Sequence, residues 1–293
     1  MVVVSPWYEI LGLGRARGIL RRLGRDPTAM FGLALVVALV FVGVCAPLLA
    51  PQLPMEQSLR DSLGAPMAKG HLLGTDQLGR DLLSRIIYGT RISLTLGVLV
   101  CTGATFIGVI LGSFAGYFGR WADIVIMRAA DIILAFPFLI LAIAILAIFE
   151  EPSLKLVFVV VGVVSWAPIA RLVRAQILVA KELDYVNAAV ALGAGTPRVL
   201  FLHVLPNCIA PVIIWFTMGI AGAIMAEASL SFLGMGAEPG VPSWGSMINE
   251  GFSYMRREWW LTVFPGVALA LTVLGFNLLG DGLQDAMNPR LKK

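Results

Sequence analysis

Between Arg198 and Glu227 the chain reads VLFLHVLPNCIAPVIIWFTMGIAGAIMA, a run without a charged side chain. An α-helix needs about 20 mainly apolar residues to cross the hydrocarbon core of a bilayer, so this run predicts a membrane-spanning helix. The composition agrees, since 58% of the 293 residues are hydrophobic and 14% are charged, with a mean hydropathy of +0.87. Soluble domains carry about 25% charged residues, so the soluble and disordered classes are excluded.

Charged residues delimit five further apolar runs, and six spanning helices are therefore predicted. The further runs are 29–50, 92–119, 132–149, 156–170 and 259–280. The run 156–170 is short, so Lys155 and Arg171 are expected to reach the bilayer surfaces with their long side chains. The predicted fold class is all-α integral membrane.

The positive charges of the loops give the orientation, because cytoplasmic loops carry more Lys and Arg. More of them lie on the side of the two termini, so both termini are predicted to be cytoplasmic. Arginines mixed with aromatic and aliphatic residues at 7–23 fit either an interfacial helix or a basic tail. The predicted organisation is a cytoplasmic segment at 1–28, a first span at 29–50, an extracytoplasmic loop at 51–91, a five-helix core at 92–283 with a cytoplasmic loop at 175–206, and a tail at 284–293.

Small residues four positions apart recur in two predicted spans, a pattern that lets helices approach closely. They are Gly108, Gly112 and Gly116 in one span, and Gly219 and Ala223 in the other. A charge at membrane depth costs about 2.5–3.5 kcal/mol on insertion scales, so Glu227 must face a partner, a water-filled cavity or the interface. With Ser229 and Ser231 it is a candidate for a solute pathway.

The segment before the quoted run reads DYVNAAVALGAGTPR, from Asp184 to Arg198. Its alanines predict a short helix, which Gly193 ends by taking the left-handed conformation. Thr196 and Pro197 are then expected to start a second helix, as N-cap and first residue. Such a helix–turn–helix outside the membrane fits a docking element for a cytosolic protein or a connector on the lipid headgroups.

This segment resembles the EAA motif of ATP-binding-cassette (ABC) importer permeases, in which E-A-A is followed by a glycine and then by I-x-L-P. Asn187 stands at the acid of E-A-A and His203 at the isoleucine, so a salt bridge from the acid position is not assumed. The resemblance implies that the segment docks on a cytosolic ATPase. The residues carried over to this coupling loop are Tyr185, Asn187, Ala188, Ala189, Leu192, Gly193, Arg198, Leu205 and Pro206.

Three further segments are similar to signatures of dipeptide, oligopeptide and nickel permeases of the C-subunit type. They are HLLGTDQLGRDLLSR at 71–85, ASLSFLG at 228–234 followed by PSWG at 242–245, and GDGLQDAMNPR at 280–290. The resemblance implies a type I importer permease fold in the cytoplasmic membrane. The implied partners are a second, homologous permease chain, two ATP-binding subunits, an extracytoplasmic substrate-binding protein and the lipid bilayer, without nucleic acid.

No lysine of the chain follows a glycine, so a G-x-x-x-x-G-K-[ST] phosphate-binding loop is absent from this sequence. ATP and Mg²⁺ are therefore expected on partner subunits, and neither catalytic residues nor a metal site are predicted in this chain. Charges of the outer loops are expected to be mostly solvated. The alternatives are a secondary transporter, or import of nickel chelates or glutathione by the same mechanism. A membrane-embedded enzyme and an anchoring scaffold subunit are further classes that the spans support less well.

Overall fold

The computed structural model describes residues 13–149, 153–236, 238 and 240–287, which form α-helices, short 3₁₀ turns and one isolated β-bridge. Five helices are long and apolar enough to cross a membrane, and a bent pair supplies a sixth span if it counts as one, in agreement with the predicted six. The helices are α1 (Leu13–Leu23), α2 (Pro27–Val44), α3 (Ala46–Leu49), α4 (Leu82–Phe118), α5 (Arg120–Ala135), α6 (Phe138–Leu146), α7 (Leu154–Lys181), α8 (Asp184–Ala191), α9 (Thr196–Phe232), α10 (Trp244–Phe252) and α11 (Trp260–Met287).

Helix α1 occupies part of the segment for which an interfacial helix or a basic tail was considered. Its last residue, Leu23, packs with Ala29 of α2 and Ala286 of α11, so α1 is attached to the cytoplasmic ends of these helices. Residues 7–12 of that segment and residues 288–293 of the predicted tail lie outside the described residues.

Side-chain caps explain where three of the long helices begin. Asp26 accepts a hydrogen bond from the backbone N–H of Thr28 at 2.9 Å, and Pro27 follows as the first residue of α2. Asp81 accepts from the N–H of Ser84 at 2.8 Å at the start of α4, and Ser153 caps α7. Each cap satisfies an N–H group that has no partner within its own helix.

Four spanning helices extend beyond the charge-free runs from which they were predicted, namely α4, α7, α9 and α11. Helix α4 begins at Leu82 rather than at 92, and α7 continues past Arg171 to Lys181. Arg85 in the extension of α4, and Arg171 and Arg174 in that of α7, have carboxylate partners elsewhere in the fold. Arg171 therefore pairs with Asp131 of α5 across a helix contact, at 2.5 Å, instead of reaching alone to the bilayer surface.

The charge pattern predicted one spanning helix at 132–149, but the structure shows that this run is not straight. The chain bends by 92° between α5 and α6. Pro137 lies at this break and has no N–H, and a proline also disfavours helical backbone in the residue before it, here Phe136. Phe136 accordingly has extended backbone angles.

The glycines of α4 form the contact between α4 and α7. A Cβ at Gly108 would lie 2.6 Å from the Cβ of Ile169, and one at Gly112 would lie 2.5 Å from the carbonyl oxygen of Ala170. Gly116 is similarly close to Ile177. The two backbones thus approach at a separation that side chains larger than glycine would prevent.

Candidate functional site

The predicted helix–turn–helix is present as α8, a turn and the start of α9. Gly193 has φ +84°, the left-handed conformation expected of a residue that ends a helix this way. The cap of the following helix differs from the prediction, because the N-cap is Gly195 and Thr196 already lies in the first turn beside Pro197. Helix α9 then continues through the membrane to Phe232 without a break.

Most of the residues carried over from the EAA motif lie on the surface of this loop. Leu192 is 89% exposed and Val190 is also exposed, as are Phe201 and Leu202 at the start of α9, so the loop and the first turns of α9 share an apolar surface. Exposed apolar patches of this kind mark interaction sites. Of the carried-over residues, Tyr185, Asn187, Ala188, Gly193, Arg198 and Pro206 are exposed, whereas Ala189 and Leu205 are partly buried.

The underside of the loop is anchored in the core. Val186 of α8 is buried with Val199 and Val204 of α9, in a cluster that also contains Ile177 and Ala180 at the end of α7. The loop therefore joins the helical core on one face and exposes apolar side chains on the other.

A polar contact ties α8 to α9. The Tyr185 hydroxyl donates to the backbone carbonyl of His203 at 3.0 Å, and the Asn207 side-chain amide donates to the Tyr185 oxygen at 2.6 Å and to the same carbonyl at 2.7 Å. We call these three groups the Tyr185 clasp. They surround a π-helical segment, Val199–Val204, followed by Pro206, which has no N–H to offer to the carbonyl one turn earlier. Asn207 was missed by the sequence analysis, although it directly follows the motif.

A cavity of about 450 Å³ lies between α4, the α5–α6 bend, α7 and α9. Its walls are mainly apolar, and Ser229, Gly219 and Ala223 belong to its lining. Other lining residues come from each of the surrounding helices: Val100, Cys101, Ala104, Ile133, Leu134, Phe136, Phe138, Leu139, Val161, Val164, Ser165, Pro168, Trp215, Gly222, Met225 and Ala226.

Glu227 and Ser231 do not line this cavity, although the sequence analysis grouped them with Ser229. Glu227 is 3% exposed and accepts a hydrogen bond from the Ser231 hydroxyl at 2.7 Å. The next residue, Ala228, meets α10, where a Cβ at Gly245 would lie 2.2 Å from the Ala228 carbonyl oxygen. The carboxyl group is thus enclosed within the protein where α9 meets α10.

Charged pairs join α5 to α7 next to the cavity. Arg174 binds Asp123 through two nitrogens, one of them at 2.7 Å, and Arg171 binds Asp131. With Arg128, these side chains line a second, polar pocket of about 360 Å³.

The outer loop contains a buried ionic network that the sequence analysis missed. The expectation that its charges are mostly solvated is wrong for Asp76, Arg80 and Arg85, which are all buried. Arg85 donates to Asp76 at 2.6 Å and to Glu250 of α10 at 2.8 Å, and Arg80 reaches the same two carboxylates at 2.6 and 2.9 Å. The close spacing of acids and bases in 71–85 was the available signal, but the partner in α10 is distant in sequence.

Two further pairs stabilise this loop. His71 lies 2.9 Å from Asp81, the capping residue of α4. On the surface, Lys69 donates to Asp61 at 2.7 Å and, together with the Ser58 hydroxyl, holds the pKa of this carboxyl below its ordinary value. The outer loop is thus a folded unit attached to the start of α4 and to α10.

The chain matches two family models. Residues 108–293 match the model described as "Binding-protein-dependent transport system inner membrane component", and residues 15–66 match "N-terminal TM domain of oligopeptide transport permease C". The first model covers more than half of the chain.

Curated relatives are similar along nearly the whole length. The chain is 46% identical over 275 residues to "Dipeptide transport system permease protein DppC" of Escherichia coli (strain K12), covering 92% of this chain and 91% of that protein. It is 40% identical to the protein of the same name from Alkalihalophilus pseudofirmus, over 99% and 91% of the two chains. It is 41% identical to "Glutathione transport system permease protein GsiD" of Pectobacterium atrosepticum, over 99% and 93%.

Solved structures with a similar fold include an ABC transporter. It is titled "Crystal structure of an amino acid ABC transporter with histidines", and the match has a TM-score of 0.55 at 16% identity, covering 69% of this chain and 94% of the other. At this identity the match speaks for the fold alone.

Proposed function

Since the chain belongs to the family of binding-protein-dependent transport system inner membrane components, we propose that it serves the import of di- or oligopeptides. It is a multi-pass permease subunit of an ABC importer in the inner membrane. The observation that carries the proposal of ATP-driven coupling is the loop at 184–198. It combines an exposed apolar surface with a helical connection into a spanning helix.

Coupling would begin when this loop sits in a groove of an ATP-binding subunit. Helix α9 starts at Thr196 inside the loop and contributes Gly219, Gly222 and Ala226 to the cavity wall. Because a continuous helix moves nearly as one body, displacement of the loop would shift that wall. Closure and opening of the ATP-binding subunits would thus change access to the cavity from the two sides of the membrane.

The chain itself is proposed to be non-catalytic, with ATP and Mg²⁺ bound by its partners. We propose two ATP-binding subunits, a second homologous permease chain that supplies the other half of the pathway, and an extracytoplasmic substrate-binding protein. The coarser relation, that a permease of this family works with ATP-binding and substrate-binding components, follows from membership itself.

Glutathione is the second candidate substrate, because the similarity to the glutathione permease is close to that of the dipeptide permeases. Both candidates are short peptides that carry charges of both signs. None of the relatives named above is a nickel permease or a secondary transporter.

The test is reconstitution of the complex that copurifies with this chain in mild detergent. Liposomes containing the complex are loaded with ATP and supplied with the copurifying or co-encoded binding protein. Uptake of a labelled dipeptide and of labelled glutathione is then measured. Uptake that requires both ATP and the binding protein supports the proposal. Uptake that follows an ion gradient without ATP would contradict it and indicate a secondary transporter.

A further inference from the structure

We propose that the cavity between α4, the α5–α6 bend, α7 and α9 is a subsite for an apolar side chain of the transported peptide. The inference rests on the proposed function, since it assumes that peptides pass this chain. It assigns to the permease a contribution to selectivity that is separate from the binding protein.

The size and the lining of the cavity define what it can hold. Its volume of about 450 Å³ falls within the range of about 300–1,000 Å³ that is common for small-molecule sites. Two polar groups of the wall are already engaged, since the Ser229 hydroxyl donates to the Met225 carbonyl and the Cys101 thiol to the Phe216 carbonyl. An apolar group can therefore enter without breaking a protein hydrogen bond.

The bend in the neighbouring span borders this space. Phe136 and Phe138 flank Pro137 and both line the cavity. The 92° turn directs α6 away from the axis of α5, and residues on both sides of the turn line the cavity. The backbone bend therefore forms part of the cavity wall.

Charge at the rim favours a peptide as the occupant. Asp131 lies one helical turn from Leu134, and Arg171 lies one turn from Pro168, and both of these neighbours line the cavity. The Asp131–Arg171 pair therefore borders the apolar space, and its side chains are 46% and 47% exposed. A peptide with free termini carries an ammonium and a carboxylate, which match the charged pair. Its apolar side chain matches the apolar space. A lipid chain or an apolar side chain of a partner subunit matches the cavity alone.

Gly222 offers a direct way to reduce the volume. It lines the cavity, and a Cβ built on it meets no atom within 4 Å, so a larger side chain would enter the open space without displacing backbone. Gly103 of α4 has equally open surroundings but does not belong to the lining. The substitutions Gly222→Leu and Gly103→Leu are thus a matched pair.

The experiment compares uptake of glycylglycine and phenylalanylphenylalanine by the complete reconstituted complex with the same binding protein at saturation. We expect Gly222→Leu to lower the Phe-Phe to Gly-Gly uptake ratio by about tenfold, the scale on which apolar pockets discriminate by size. Gly103→Leu should leave the ratio as in the original sequence. A Gly222→Leu complex that assembles and transports both peptides at the original ratio, or assembles and loses both equally, overturns the subsite.

A second variant enlarges the same cavity and covers the case in which Gly222→Leu does not assemble. Leu134→Ala removes a partly exposed lining side chain and should raise the Phe-Phe to Gly-Gly ratio. An unchanged or lowered ratio in this variant overturns the subsite on its own. Absence of all peptide uptake by the unmodified complex would instead overturn the proposed function, and the inference with it.

Discussion

At the scale of single residues, backbone geometry and not crowding is the reason why position 193 requires a glycine, Gly193. Its φ of +84° is unfavourable for residues with a Cβ, yet a Cβ there would meet no atom within 4 Å. The left-handed conformation of Gly193 could be predicted from the sequence, because the alanine-rich helix ends there and Thr-Pro starts the next helix. The role of Glu227 could not be assigned, because its neighbours in α10 are set by the tertiary fold.

We expect Gly193→Ala to destabilise the turn by about 1 kcal/mol and Gly193→Arg to lower uptake further, because the arginine adds a bulky charge to the docking surface. Gly193→Asn is the control, since asparagine tolerates the left-handed region. ATP hydrolysis and uptake are measured together in liposomes, with membrane insertion checked by immunodetection. Normal uptake by the Gly193→Arg complex would show that the turn is not part of the coupling element.

At the scale of elements, helix existence could be predicted from charge-free runs, but helix ends and bends could not. Arg171 was interpreted as a boundary because an isolated charge ends a span, whereas its partner Asp131 keeps it within α7. The Arg174–Asp123 pair does the same for the next arginine of this helix. The break at Pro137 lies inside an apolar run, where hydropathy carries no information on direction. A proline inside such a run is the sequence signal that indicates a bend.

The Tyr185 clasp leads to a prediction on the α8–α9 contact. Tyr185→Phe removes the hydroxyl that bonds to His203 and Asn207 and should loosen α8 by about 1 kcal/mol for each lost bond. We expect faster hydrogen exchange in 184–191 and less peptide imported per ATP hydrolysed. Tyr254→Phe is the matched control, because no hydrogen bond of the Tyr254 hydroxyl is found among the described residues. Equal transport stoichiometry in both variants would limit the clasp to a local structural role.

At the scale of the whole molecule, the ionic network joins parts of the chain that sequence analysis treated separately. Arg85 stands at the start of α4 and Glu250 in α10, so the network fixes the outer loop against the helix next to the end of α9. The family signature at 71–85 could be recognised from the sequence. Its structural meaning could not, because it depends on a carboxylate far along the chain.

Removal of Arg85 from this network should be costly, because the carboxylates of Asp76 and Glu250 then share Arg80 alone and a negative charge is left without compensation at a mainly buried site. We expect Arg85→Met to lower the free energy of unfolding by about 3–5 kcal/mol, as for other broken buried pairs. Arg60→Met, at an exposed position of the same loop, should have little effect. Thermal unfolding of the purified complex in detergent measures both. A melting temperature for Arg85→Met equal to that of Arg60→Met would mean that the network contributes little net stability.

The π-helical segment at Val199–Val204 also sets the angle, around the axis of α9, between the docking loop and the residues that face the cavity. One residue corresponds to about 100° around a helix axis, so the wider turn of this segment determines which face of α9 meets the cavity for a given orientation of the docking loop. Deletion of one residue there would leave both ends of α9 intact but turn them relative to each other. The loop and the cavity wall would then each keep their local structure, but they would be rotated by about 100° relative to each other around the axis of α9.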